Sequence, residues 1–583
     1  MRRVRTDVLI LGSGGAGLFA ALHVHREAPG TRITVAVKGL LGKCGCTRMV
    51  QGGYNAALAV GDSIPRHFMD TLEGGKWINN QELAWALVSH APLRLRELEN
   101  EIGCFFDRNP DGTLHQKAFA GQTFDRTVHK GDLTGIEIMN RLTEQVWARD
   151  IERLEEHRAV AMIPDATGTR IAGVLLIDMH TGEFVFVQAR AVLLATGGGP
   201  TMYKYHTPSG DKSCDGMAMA LRLGLPLRDM EMVQFHPTGL LAGPDTRMTG
   251  TVLEEGLRGA GGYLLGGDGA RFMQRYDLRG ERATRDVVSR AIFEEIRNGN
   301  TSPNGGVYLS MSHLGEDNVR RQFRGMVKRC ADCGFDLAGG RVEVIPTAHY
   351  MMGGVEFTVD CTTALLGLFA AGEDTGGVHG ANRLGGNGVA NATVFGGLAG
   401  DSIARYLTES DPEWQTPDEE RLAQEYAAAC TPLGLPPGDI ESIREGVFDT
   451  LWEDVGILRH ADGLYRALDR LDKLEARLAQ TGVDGSDLAF NLTWHDWLNL
   501  RNMLLVSRAI TTSALARENS RGAHFREDFP GPGEWETSSF NRLRLQADGR
   551  LRVVQVPVEF TRVRPGFTLL EDADGEPGAV SVP

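Results

Sequence analysis

Asp7-Val-Leu-Ile-Leu11, followed at once by Gly12-Ser-Gly-Gly-Ala-Gly17 and then by the helical run Leu18 to His25, decides the fold. The first stretch is short, unbroken and apolar, as a buried parallel strand is. Glycines at 12, 14 and 17 have the spacing at which a strand turns into a helix and its backbone approaches a pyrophosphate, with the helix N-terminus favouring the anion. Working outward, Ile33 to Val37 reads as a second strand. Ala191 to Ala195 reads as a third, closed by Thr196-Gly-Gly-Gly199, and Leu368 to Ala371 as a late one ending in Gly372-Glu373. Strands so far apart in the chain that return to one sheet predict a doubly wound, Rossmann-like α/β domain interrupted by an insertion.

The expected organisation is a dinucleotide-binding domain over 1–240 and 351–410, with a capping domain over 241–350 inserted above its ligand crevice. A polar linker near 411–416 leads to a helical C-terminal domain over 418–530, read from the periodicity of Arg421 to Ala429, Ala467 to Leu478 and Trp497 to Arg517. A tail over 531–583 carries strand-like alternation at Leu551 to Val556.

Composition narrows the function. The 583 residues include 73 glycines, well above the usual share of about 7%. They gather at motifs without a period, as loops around a large cofactor do. A net charge of -15 without a basic patch argues against a nucleic-acid partner. The eight cysteines are sparse, and Cys330 and Cys333 form one CxxC with no second pair at metal-site spacing. The expectation is therefore reduced thiols, no metal in this chain and a cytoplasmic protein. The basic start Met1-Arg-Arg-Val-Arg5 mimics a secretory signal, but the glycine spacing that follows assigns it to a first strand. No run of about 18 apolar residues predicts a membrane span.

Four later stretches place cationic donors in or beside glycine-rich sequence: Gln234-Phe-His236-Pro-Thr-Gly239, Arg285-Asp-Val-Val-Ser-Arg290, His349-Tyr-Met-Met-Gly-Gly354 and His379-Gly-Ala-Asn-Arg-Leu-Gly-Gly-Asn387. Imidazole and guanidinium groups suit carboxylate oxygens. In this order the stretches resemble the flavoprotein subunit of succinate dehydrogenase and fumarate reductase, from the first strand to Ser520-Arg-Gly-Ala-His524. The resemblance implies FAD, a dicarboxylate substrate, a partner subunit bearing iron-sulfur clusters, and a place in the cytoplasm, at the inner membrane face if the partners anchor it. It implies cofactor contacts from Gly12, Gly14, Gly15, Ala16, Gly17, Lys38, Cys46, Thr47, Gln51, Gly52, Gly53, Ala195, Thr196, Gly197, Asp215, Glu373, Arg383, Asn387 and Gly388. It implies substrate contacts from Phe119, His236, Glu254, His349 and Arg383, with Arg285 as proton donor supplied by Glu255 and Arg258.

Two positions depart from that pattern. Covalently flavinylated members carry a His in a Ser-His-Thr segment where this chain reads Gly45-Cys46-Thr47, so non-covalent FAD is expected. Where the family has Thr-Glu-Gly or Ser-Glu-Ala, with a hydroxyl that donates to a substrate carboxylate, this chain reads Glu254-Glu255-Gly256. A carboxylate donates only when protonated, which leaves the acid at that end of the site open. The related L-aspartate oxidases and reductases of another unsaturated carboxylic or dicarboxylic acid are the alternatives, but the oxidases carry Glu-Gly-Gly where this chain has Phe119-Ala-Gly121.

Overall fold

A computed structural model describes residues 1–571 except 245, together with the short strand Pro577–Ala579. The rest of the expected tail, 572–576 and 580–583, lies outside the described residues.

The central sheet is built on strand Arg2–Leu11, which pairs in parallel with Ile33–Ala36 on one side and Phe184–Leu194 on the other. Glu152–Leu154 extends the first side in parallel. Strand Phe184–Leu194 changes neighbour along its length. Its first half pairs antiparallel with Ile171–Asp178, which pairs in turn with His157–Pro164. Its last residues, Val192 to Leu194, pair in parallel with Leu368–Ala370, contributed from far along the chain. Strand buried on both faces, such as Val8 to Leu11, is almost wholly apolar, as a parallel sheet covered by helices requires. Helix Gly15–Glu27 covers one face and packs beside helix Asn387–Ser410 in a shared core with Phe19, Val24, Val394 and Ile403.

Residues between Leu240 and Val344 enclose a core of their own. It lies on an antiparallel sheet in the order Val233–Leu240, Arg341–Met351, Val307–Ser310, Tyr263–Leu265. This corrects one expectation: His349 lies in strand Arg341–Met351, paired with the strand of Gln234 and His236, and not in a glycine-rich loop. The helix Ile440–Asp454, which the periodicity does not single out, joins Glu419–Cys430, Ala461–Leu478 and Leu492–Ala516. These helices share one core with the antiparallel strands 157–194, with Trp494 fully buried at the contact.

The segment after 531 is tied back into the body. Strands Ser539–Leu545 and Leu551–Pro557 pair with each other, and the first also pairs with Leu227–Arg228. Beneath this junction Arg517 donates to Glu231 at 2.5 Å and to Asp229 at 2.9 Å. Arg459 donates to the carbonyl of Glu231 at 2.8 Å, and Arg526 to both oxygens of Asp528 at 2.7 Å.

Candidate active site

One cavity of about 580 Å³ runs from the first glycine turn to the sheet that carries His236 and His349. At its first end, Gly12 takes φ +107, and a Cβ there would lie 2.2 Å from the carbonyl oxygen of Ala195. Only glycine satisfies both conditions. A Cβ on Gly17 would lie 2.0 Å from the oxygen of Gly12, so this residue sets helix-to-strand packing and does not line the cavity. The helix that starts at Gly15 has no side chain capping its N-terminus, apart from Thr47, whose Oγ1 accepts from Gly15 N at 3.2 Å. Ser13 Oγ, beside it, is buried without a partner. A helix N-terminus plus an orphan hydroxyl in a glycine cradle is a donor set for pyrophosphate.

Farther along, Lys38 donates to Asp215 at 2.8 Å, and Asp215 also accepts from Ser213, Arg158 and Asn502. Thr196 and Gly197 N donate to Asp374, and Gly199 N and Met351 N donate to Glu373. Burial pushes Glu373 up to about 7 despite those two N–H donors. Cys46 lines the cavity between Gly45 and Thr47, and burial followed by the nearby Glu373 pushes its thiol up to about 12. It is therefore protonated at neutral pH and a poor nucleophile. Gln51, Gly52, Gly53, Ala16, Ala195 and Gly388 also line the wall. Asn387 does not: its Oδ1 accepts from Asn55 at 2.7 Å and meets His67 Nε2 at 3.0 Å, so it braces the glycine loop from behind.

At the far end stand Phe119, His236, Glu254, Glu255, Arg285, His349 and Arg383. The Phe119 ring lies so close over Gly52 that a Cβ there would be 2.4 Å from its Cζ. His236 Nδ1 accepts from Thr238 N at 3.3 Å, which leaves Nε2–H as the donor of a neutral ring. His349 Nδ1 meets Thr207 Oγ1 at 2.7 Å. Burial, then the charges of Arg285 and its neighbours, hold both imidazoles far below their ordinary range, so both are neutral. Arg285 begins helix Arg285–Arg297, and its Nη2 and Nε reach Glu255 Oε2 at 2.6 and 3.0 Å. Glu255 stands just ahead of the one-turn helix Gly256–Gly259, which carries Arg258 behind it at 3.5 Å. Burial opposes the charge of Glu255, but Arg285 and Arg258 outweigh it and hold the group below the usual carboxylate range. Arg258 itself does not face the cavity, and its Nε and Nη2 have no hydrogen-bond partner.

Three further residues complete the site, and the sequence alone assigns none of them to it. Gln234 Oε1 accepts from both Arg285 and Arg383 at 3.1 Å, while its Nε2 donates to the carbonyl of Arg383 and to Asn382. It fixes the spacing of the two guanidinia. Its only signal is membership of the Gln-Phe-His motif. Lys117 donates to Glu254 at 2.9 Å. Arg329 reaches the cavity from helix Arg324–Asp332 and donates to the carbonyl of Val252 at 2.9 Å. No sequence signal marks either cation. Among the described residues no group of three or more His, Cys, Asp or Glu side chains is arranged to hold a metal ion.

A dinucleotide cradle continuous with a donor-rich pocket for carboxylates is the architecture of a flavin-dependent oxidoreductase acting on a small acid. Comparison with known proteins agrees. Residues 7–389 match the family described as FAD binding domain, and residues 444–568 the one described as fumarate reductase flavoprotein C-term. The chain is 42% identical over 546 residues to one chain of the CoM/CoB fumarate reductase of Methanothermobacter marburgensis, covering 93% of this chain and 97% of that one. It is 34% identical to the Escherichia coli fumarate reductase flavoprotein subunit, covering 97% and 96%. A solved structure of E. coli quinol fumarate reductase superposes with a TM-score of 0.91 at 33% identity, covering 97% of this chain and 98% of that one. The chain belongs to the fumarate reductase and succinate dehydrogenase flavoprotein family, and it is an FAD-dependent oxidoreductase. No helix among the described residues is long and apolar enough to cross a membrane.

Proposed function

We propose that this chain interconverts fumarate and succinate as the catalytic subunit of a larger assembly. The observation that carries the reading is the corner where Arg285 and Arg383 share Gln234 and face His236 and His349. These are donors for two carboxylates at opposite ends of a short acid. When bound, FAD supplies hydride exchange with a substrate carbon. Gly12, Gly14, Gly15, Ala16, Ser13, Lys38, Thr196 and Asp215 would hold its nucleotide portion, and Cys46, Thr47, Gln51, Glu373 and Gly388 would surround its ring system. His349 and Arg383 hold one substrate carboxylate, and His236 with Glu254 meets the other. Phe119 packs on the carbon chain.

Arg285 holds the proton that the second substrate carbon receives. A free guanidinium does not lose a proton at neutral pH, so Arg285 works only if Glu255 returns one in the same step. Arg258 supplies Glu255 from behind. The cradle 1–240 and 351–410, the cap 241–350 and the helical segment 418–530 are the functional units of this reading. The partner is a subunit bearing iron-sulfur clusters, and the assembly works in the cytoplasm, held at the inner membrane face through its partners. L-aspartate oxidase activity is the weaker alternative, because Phe119-Ala-Gly121 offers nothing that pairs with an amino group.

The test is steady-state turnover of fumarate and succinate with artificial dyes, followed by acid precipitation. Turnover of both, with all yellow colour released to the supernatant, is expected. Turnover of neither, or flavin retained on the denatured chain, overturns the substrate or the non-covalent reading respectively.

A further inference from the structure

Glu254 occupies a position where the resembling family presents a hydroxyl. It lines the cavity, is only 4% exposed and has a single cationic partner, Lys117, on strand Gln116–Lys117. Lys117 does not line the cavity: its Nζ is spent on Glu254 Oε1 and on the carbonyl of Gly131. Pairing of Leu253 N with the Thr238 carbonyl at 2.9 Å brings this segment alongside His236. A dicarboxylate bound across His236 and Arg383 would thus press one carboxylate against another in a water-poor corner. Two carboxylates at contact distance cannot both stay ionised there.

We propose that Glu254 is a proton-carrying part of the substrate site: it takes up a proton as a dicarboxylate enters and donates that hydrogen to the nearer carboxylate. The protonated carboxyl then does the work of the family's hydroxyl, and binding is coupled to pH. The inference rests on the dicarboxylate reading above. The groups that face Glu254 fit it. Asp132, ahead of helix Thr134–Trp147, and the adjoining Glu255 both oppose its charge, Lys117 favours it, and Arg329, which reaches the same cavity, donates to the carbonyl of Val252. Burial is the larger influence and already raises Glu254 above the ordinary carboxyl range before any ligand arrives. His129, next to Lys117, is pushed down to about 4, first by burial and then by that ammonium. His236 and His349 are neutral, so neither they nor His129 cancels the incoming charge. Arg285 is paired with Glu255, and Arg383, whose only side-chain acceptor here is the neutral Gln234, serves the other carboxylate of the acid and not the one that Glu254 meets.

The experiment is calorimetric binding of fumarate to the oxidised holoenzyme in two buffers of different ionisation enthalpy, between about pH 6 and about pH 9. The wild type is expected to take up about one proton per fumarate on the alkaline side, where KM rises about tenfold per pH unit while kcat changes less. In Glu254→Gln the amide N–H donates a hydrogen bond with no proton taken up from solvent, so uptake falls to near zero and KM becomes flat with pH. Lys117→Met removes the cation that favours ionised Glu254, so the rise in KM starts at higher pH. Flavin absorbance of each variant reports an intact fold. Proton uptake absent from the wild type, or equal in wild type and Glu254→Gln, overturns the proposal while fumarate turnover stands. Failure of fumarate to bind at all overturns both readings.

Discussion

The substrate corner and the C-terminal junction are both built from buried arginines, and they are neutralised in opposite ways. In the corner, Arg258, Arg285 and Arg383 face one ionised carboxylate, Glu255, and the adjacent Glu254 is matched by Lys117. Burial, then the neighbouring Arg285, lowers Arg383 to about 10. At the junction, Arg228, Arg459, Arg517 and Arg526 meet Asp229, Glu231 and Asp528, and much of the remaining donor capacity goes to backbone carbonyls. A buried charge without a partner costs several kcal/mol, so an arginine cluster persists only if something compensates it. At the junction the compensation is folded into the chain. In the corner the three guanidinia outnumber Glu255, and a bound dicarboxylate supplies anion that the chain does not.

That contrast is open to attack. The largest effect is expected from Arg517→Met, which leaves Glu231 buried without its side-chain cation and Asp229 with Arg228 alone. Stability should fall by about 3–5 kcal/mol in urea unfolding, and a loss below about 1 kcal/mol would make the junction no different from a surface pair. Arg285→Lys should do the reverse, leaving stability and FAD content nearly intact. It should lower kcat about a hundredfold or more, roughly 2.7 kcal/mol, because an ammonium cannot span Glu255 and Gln234 as the guanidinium fork does. Retention of more than about a tenth of wild-type turnover would remove Arg285 from the proton path.

A third expectation concerns direction. Without the histidyl bond that position 46 supports in flavinylated relatives, the reduced flavin should be the stronger donor. Fumarate reduction should then outrun succinate oxidation about tenfold, equivalent to roughly 30 mV for a two-electron couple. Equal rates with saturating dyes would break the link to Cys46. The smallest effect is the acid limb of the junction. Hydrogen bonds from Arg526 push Asp528 down to about 2, below the unfolded carboxyl value of about 3.9. Its contribution is present above about pH 4 and is lost as pH falls through about 2. The midpoint of thermal unfolding should drop over that window in the wild type and less steeply in Asp528→Asn.

The inner parallel strands were legible as short apolar runs that lead into glycine, as at Leu11-Gly12 and Ala195-Thr196-Gly197, whereas Glu152–Leu154, two of whose three residues are charged, and the antiparallel strands His157–Pro164 and Ile171–Asp178 were not. The cradle was legible for the same reason. The strands Val233–Leu240 and Arg341–Met351 were not, since Pro237 and Pro346, the neighbouring glycines and the bulges at Gln234/Phe235 and His236/Gly239 blur any alternation. Glu254 stood out as a departure, yet its partner Lys117 is 137 residues away, and local periodicity says nothing about which distant cation will be buried against it. Arg329 was invisible for the same reason: its helix belongs to a separate core, and only the packing of that core turns one side chain toward the cavity.

The late strand Leu368–Ala370 has a consequence for the chain as it is made. The cradle needs Gly12 to Gly17, Thr196 to Asp215 and Gly372 to Val389, so it cannot close until Val389 has been translated. At roughly 5–20 residues per second the stretch from Leu194 to Leu368 takes about 9–35 s, during which the end of strand Phe184–Leu194 has no parallel neighbour on that side. The core between Leu240 and Val344 emerges inside that interval and is the part able to fold first. Flavin capture is thus a late event in the life of each nascent chain, and a polypeptide released before Leu368 would carry a finished cap over half a cradle.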